Sequence, residues 1–205
     1  MKNKFQQLHK NKNQGFTLIE VMVSMSIFVM VVGMAVGTVI AMVDANAKAQ
    51  NMQQAATNLS FALDSMSREI RTGTYYYGIN SNSSGSNVAS GKNGNTRDCN
   101  GCTAMSFIEA GESLTASCTG TGSGRIAYRH QGTAIQRRIC TGSWEDITAP
   151  NVLVDTFTFT VDHTDRTDRQ SPLVTIFIDA HVDGVALANA SLQLQSSVTQ
   201  QALDI

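Results

Sequence analysis

The chain has 205 residues, enough for one globular domain with something added and too few for two ordinary ones. Only 15% of residues are charged, against roughly 25% in an average soluble protein; 42% are apolar and the formal net charge is −1. These figures exclude collagen-like, coiled-coil and fully disordered chains, and the overall charge gives no sign of a nucleic-acid-binding protein. The averages hide an uneven distribution.

Residues 1–15 carry Lys2, Lys4, Lys10 and Lys12 and no acid. Behind Phe16-Thr17-Leu18-Ile19-Glu20, residues 21–43 lack a single charge. About 20 apolar helical residues cross the hydrocarbon core of a bilayer, so this run is long enough. The positive-inside bias keeps the lysines cytoplasmic and sends everything after Asp44 outward. A secretory signal peptide is the competing reading. Its apolar region would be about 7–15 residues long and would end in a small-residue cleavage site. Here the run is longer and the composition breaks before it, at Gly15, so the expectation is a retained single-pass anchor.

Glu20 is the anomaly. An ionised carboxylate in hydrocarbon costs a few kcal/mol on insertion scales, which makes such a residue a functional candidate with a partner to be found. One reading leaves Glu20 solvated at the interface of an uncut helix beginning near Asn13. The other has the chain cut after Gly15, which places a new α-amino group on Phe16, one helical turn from Glu20, for a neighbouring copy to pair with.

At these residues the chain resembles the type IV pilins and type II secretion pseudopilins. The resemblance rests on the short basic leader, on Gly15-Phe16-Thr17-Leu18-Ile19-Glu20 and on the apolar helix behind them. It implies cleavage between Gly15 and Phe16 by a prepilin peptidase in the inner membrane, N-methylation of Phe16 by the same enzyme, and pairing of Glu20 with the Phe16 amine of an adjacent subunit. Gly37 stands where major pilins usually carry a helix-kinking proline. Ser26-Ile27-Phe28 looks more like the minor pilins and the I- or J-type minor pseudopilins. The implied architecture is α+β and pilin-like, a long N-terminal helix packed on an antiparallel β-sheet. Within the anchor, Gly33 and Gly37 form a small-xxx-small pattern that lets membrane helices approach closely. Glycines merely tolerated in a membrane helix, or a stretch that loosens on leaving the membrane, are the alternatives.

Past Asp44, glycine and proline are absent until Gly73. Leu59, Leu63, Met66 and Ile70 make one apolar stripe, with Ser67, Arg68, Glu69 and Arg71 off it. Asp64 and Arg68 are spaced for an i, i+4 ion pair. One helix is therefore expected over residues 16–72, roughly 85 Å long at 1.5 Å per residue, with Gly73 as its stop. Residues 16–43 form its membrane part and 44–73 its amphipathic continuation. Residues 74–205 form a globular β domain, with a Gly/Ser/Asn-rich loop at 78–97.

Within that domain, residues 125–130 and 133–140 flank Gln131-Gly132 as a hairpin. Phe157, Phe159 and Val161 alternate with threonine, and Val174, Ile176, Ile178, Ala180 and Val182 alternate as well. Asp183-Gly184 then reads as a tight turn into residues 185–198. The expectation is five antiparallel strands with one dry face on the Leu59–Ile70 stripe.

Four cysteines, Cys99, Cys102, Cys118 and Cys140, lie outward of the anchor, in an oxidising compartment if the resemblance holds. Disulfides are the expectation, with Cys99–Cys102 and Cys118–Cys140 preferred among three possible pairings. Zinc is disfavoured because the close Cys-x-x-Cys pair is not repeated. A thioredoxin-like role fails because the pair sits in a Gly/Asn loop. Asp162, His163, Asp165 and Asp168 invite a calcium site, yet Arg166 and Arg169 intervene and no turn glycine is present, so a solvated loop is the reading. His9, His130, His163 and His181 have no metal-ligand spacing. Tyr75, Tyr76 and Tyr77 are expected to plug the helix–sheet junction. Arg125, Arg129, Arg137 and Arg138 share one hairpin, but strand alternation should divide Arg137 from Arg138.

No Ser/His/Asp constellation and no phosphate-cradling loop can be placed. The reading is a non-catalytic filament subunit without cofactor or metal, a minor pilin or pseudopilin of the bacterial inner membrane. Its globular domain is periplasmic before assembly and at the cell surface after it. Its partners are other pilin subunits, the prepilin peptidase, a membrane assembly platform and the lipid bilayer. A surface adhesin or DNA-uptake pilin on the same anchor is the alternative, as is an unprocessed single-pass membrane protein.

Overall fold

The computed structural model describes residues 15–80, 96–111, 124–140, 142–165, 167, 170–183 and 191–201. Two compact units divide the chain, residues 1–47 and 48–205. In the described part of the first unit, a single helix carries apolar side chains on every side, and all of residues 15–47 are exposed. That helix, α1, is assigned as Leu18–Thr72 and is long and apolar enough to cross a membrane. It starts two residues later than expected, because Gly15, Phe16 and Thr17 are not helical.

In the second unit α1 becomes one-sided. Ala55, Leu59, Ala62, Met66 and Ile70 are buried, and Leu63 is half-buried beside them. Each large aliphatic side chain removed from water there stabilises the unit by about 1.5–3 kcal/mol. Gly73 ends the helix, its N–H donating to the carbonyls of Glu69 and Ile70, both at 3.0 Å. Glycine is required there by close approach: a Cβ would collide with the Phe107 ring.

Nine strands follow among the described residues: β1 (Thr74–Ile79), β2 (Cys99–Cys102), β3 (Ala104–Ile108), β4 (Arg125–Gln131), β5 (Ala134–Ile139), β6 (Glu145–Asp146), β7 (Val152–Asp162), β8 (Leu173–Val182) and β9 (Leu192–Thr199). They form two antiparallel sheets, one ordered β1-β3-β4-β5-β6 and the other β2-β7-β8-β9. The α+β, pilin-like arrangement is as expected, whereas the single five-stranded sheet is not. The strands not foreseen are short or irregular. β1 is bulged between Thr74 and Tyr77, β2 is bulged across its whole length, and β6 has two residues.

The bulge in β1 explains Tyr76. With Tyr75 at φ 55°, the bulge turns Tyr76 into the core, where its hydroxyl donates to the carbonyls of Ile70 at 2.6 Å and Gly73 at 2.7 Å. The one phenol proton is thus shared between a carbonyl of the last turn of α1, which also accepts the Gly73 N–H, and the carbonyl of the residue that follows the helix. Tyr76, Phe107 and Tyr128 continue as an aromatic row with centroids 6.1 and 6.2 Å apart. Phe157 and Phe159 meet edge to face at 4.6 Å in the same core.

The hairpin at Gln131-Gly132 forms as expected, Gly132 taking φ 63° between β4 and β5. β8 buries every second residue and β7 does so on either side of an irregularity at residues 154–156, so that Phe157, Phe159, Val161, Val174, Ile176 and Ile178 all enter the core. Three expectations are corrected. β9 pairs with β8 so that Ala180 faces Leu192, leaving residues 181–191 between the ladders. That register does not suit the two-residue turn expected at Asp183-Gly184, of which Gly184, with residues 185–190 after it, lies outside the described residues, and Val182 still pairs with Val152 of β7. The loop expected over residues 78–97 is shorter at both ends, since Gly78 and Ile79 belong to β1 and Arg97 bridges Tyr77. Residues 81–95 within it lie outside the described residues. Lastly, Cys99-Asn100-Gly101-Cys102 is a strand at the edge of β7, not a free loop.

Candidate functional site

The N-terminal segment is built around Thr17. As the residue before the first helical turn, it accepts the Glu20 N–H on its hydroxyl at 3.4 Å, and its carbonyl accepts Glu20 N–H at 3.1 Å and Val21 N–H at 3.3 Å. Thr17 is thus the N-cap, and Thr17-x-x-Glu20 has the spacing of a capping box. Sequence reasoning passed over Thr17 although that pattern was there to read. The acid of Glu20 falls in the first turn, where the helix dipole favours negative charge.

Gly15 and Phe16 lie just ahead of this cap, outside the helix and fully open, with Phe16 82% exposed. A peptide bond in such backbone can enter a protease cleft without unravelling secondary structure, whereas one inside α1 could not. Gly33 and Gly37 have open space where a Cβ would stand, so nothing among the described residues requires glycine at either place. The hydroxyls in the apolar run turn back onto the helix: Ser24 donates to Glu20 O, Ser26 to Met22 O and Thr38 to Ala35 O, each at 2.8 Å. Such bonds keep polar atoms satisfied where no water is available.

The cysteines fall in the second unit. Cys99 and Cys102 are disulfide-bonded with their Cα atoms 6.1 Å apart. Gly78 of β1 packs directly on the bridge, since a Cβ there would stand 2.7 Å from the Cys102 sulfur. Cys140 is disulfide-bonded as well, while Cys118, its expected mate, lies outside the described residues.

The four arginines of the β4–β5 hairpin separate by strand parity. Arg137 turns to α1 and meets Glu69 at 3.0 Å, and Tyr128 donates to the same carboxylate at 2.6 Å. Glu69, expected off the packed face, is therefore a junction between helix and sheet. Burial, reinforced by that bond, holds the Tyr128 phenol above its ordinary range. On the other face Arg125 is buried and donates to Ser106 Oγ at 3.0 Å, burial lowering its guanidinium pKa. Arg129 and Arg138 lie over the Trp144 ring, 4.1 and 4.5 Å from its centroid.

Elsewhere, His130 bonds Val154 O at 3.1 Å and His181 meets Asp155 at 2.7 Å. Asp165 accepts from the Thr167 N–H and hydroxyl, both at 2.9 Å, which holds its carboxyl below the usual range. Asp168, Arg166 and Arg169 lie outside the described residues. Among those described, no three His, Cys, Asp or Glu side chains converge as a metal site would need.

An open peptide bond, a capped acid and an apolar helix in this order define a prepilin-type chain. Residues 10–43 match the family described as the prokaryotic N-terminal methylation motif. Residues 48–200, most of the chain, match prepilin peptidase-dependent protein B, and the chain belongs to that family. No curated protein and no solved structure matches it. It is a pilin- or pseudopilin-like, prepilin peptidase-dependent protein, and its N-terminal helix fits a single-pass protein of the inner membrane.

Proposed function

We propose that this chain is a structural, non-catalytic subunit, and a minor one, of a type IV pilus or type II secretion pseudopilus. Prepilin peptidase cuts between Gly15 and Phe16 and methylates the new Phe16 amine. The membrane stores the processed subunit with residues 74–205 on the periplasmic side until an assembly platform extracts it. In the filament the apolar helices bundle, Gly33 and Gly37 admit close neighbours, and Glu20 pairs with the Phe16 amine of an adjacent subunit. One observation carries this reading: every residue from 15 to 47 is exposed, so the long apolar helix buries none of its side chains among the described residues. Lipid before assembly and neighbouring helices after it supply that burial.

Mass spectrometry of the N-terminus of chain isolated from cells tests the proposal. The expected chain begins at methylated Phe16; recovery of Met1 with its lysines intact would sink the reading. Glu20→Gln should leave cleavage unchanged and lower incorporation into filaments. Normal incorporation of that variant removes Glu20 from the mechanism.

A further inference from the structure

In the second compact unit, the side of α1 turned away from the sheets is unusual between Lys48 and Asp64. Residues 49–63 contain no charged side chain, over about four helical turns. A solvent-facing helix side normally mixes charged with polar residues. Gln50, Gln54, Thr57 and Phe61 are spaced i, i+4, i+7 and i+11, which sets them on one line opposite the buried Leu59 and Met66. Phe61 is 74% exposed. Among the described residues from Lys48 onward, only Ile139 is another large apolar side chain classed as open, at 39%. With Gln53 and Asn58, the four residues of that line border a groove of about 620 Å³. Two of the polar groups there are partly engaged. The Thr57 hydroxyl donates to Gln53 O at 2.8 Å, and Asn58 Oδ1 accepts the Ala149 N–H at 3.0 Å. Gln50, Gln53 and Gln54 are exposed, and each amide is both donor and acceptor.

A surface of amides around one phenyl ring is complementary to itself. In a contact about a two-fold axis, each residue near the axis meets its own counterpart, so a charge there would meet its like. The charge-free run over residues 49–63 satisfies that condition. Charges resume at Asp64 and Arg68, which pair with each other within the helix at 2.8 Å. A charged partner, nucleic acid included, would find no counter-charge on this line.

From these features we infer that two copies of the chain pair through this side of α1, Phe61 of one against Phe61 of the other, while both are held in the membrane. The pairing rests on the filament-subunit reading, under which stored copies share one membrane and therefore one orientation. A two-fold axis along that shared direction brings the two faces together. The contact removes from water two phenyl rings that the separate chains leave open.

Cysteine cross-linking in membranes of cells that make the full-length chain tests the pairing. Gln50→Cys and Thr57→Cys should each give a disulfide-linked product of twice the chain's mass. The yield should be roughly tenfold or more above that of Gln195→Cys on the exposed side of β9, because a bridge forms only between Cα atoms held within reach. The unsubstituted chain, with its own cysteines, supplies the background. Adding Phe61→Lys to Thr57→Cys places like charges across the axis and should cut the product by roughly fivefold or more. Thermal unfolding of the purified variant checks its fold. Should Phe61→Lys unfold the chain, Phe61→Ser replaces it, with a smaller loss expected. Equal yields at Gln195 and Thr57, or a product indifferent to Phe61, overturn the inference. So does a product whose mass shows a different protein as the partner. An unprocessed Met1 N-terminus would count against the filament reading alone, since the cross-link between two anchored copies is read independently of processing.

Discussion

Residues 18–47 and 48–72 belong to one assigned helix yet obey different rules. The first stretch is apolar all round and buries nothing within the chain, so its composition reflects surroundings that the chain itself does not supply. The second buries Ala55, Leu59, Ala62, Met66 and Ile70 along one stripe under its own sheets and leaves Phe61 exposed off it. Apolar content measures burial somewhere; only periodicity says whether the burial is internal.

Substitution can break this comparison. Phe157→Ala, in the shared core, should cost about 3–5 kcal/mol of unfolding free energy, whereas Val36→Ala should leave it unchanged. Denaturant melts of the two variants in the same detergent decide the matter, and equal shifts would refute the division. A step smaller is Glu69→Ala, which strands both Tyr128 and Arg137 and should cost about 1–3 kcal/mol in the same melts.

Alkaline pH sharpens the picture at the same junction. The Tyr128 phenol ionises near pH 10 in the unfolded chain and above that in the folded one. Its stabilising contribution is therefore complete below about pH 10 and is lost as pH rises further, by about 1.4 kcal/mol per unit. Melts at successive pH values should show that slope, and Tyr128→Phe should flatten it. Smallest of all is Asp64→Ala. Its 2.8 Å pair with Arg68 is exposed on both sides, and its loss should change stability by at most a few tenths of a kcal/mol.

The features legible in the sequence were those with local causes. Leu59, Met66 and Ile70 declare a helix face by spacing, Phe157 and Phe159 a strand face by alternation, and Gly132 a hairpin by its backbone freedom. What stayed hidden depended on distant residues or on irregular backbone. Nothing near Glu69 announces Tyr128 and Arg137, which are far along the chain. The bulge that draws Tyr76 inward cannot be read from three tyrosines in a row. Asp183-Gly184 carried a strong turn signal, yet β8 kept pairing with β7 past the point where its ladder with β9 stops. At the N-terminal segment the sequence singles out Gly15, Phe16 and Glu20 as candidates and passes over the cap at Thr17.

Tyr76 gives the end of α1 a mechanical character. One phenol grips the last turn by the Ile70 carbonyl, and the residue after it by the Gly73 carbonyl, while its own backbone belongs to β1. Tension drawn along the final turns of the helix is therefore handed to the neighbouring strand through a side chain as well as through the backbone at Gly73. Losing that grip would let the closing turn fray, and Tyr76→Phe should show it as faster amide exchange at Arg71 and Thr72 while the sheets stay protected.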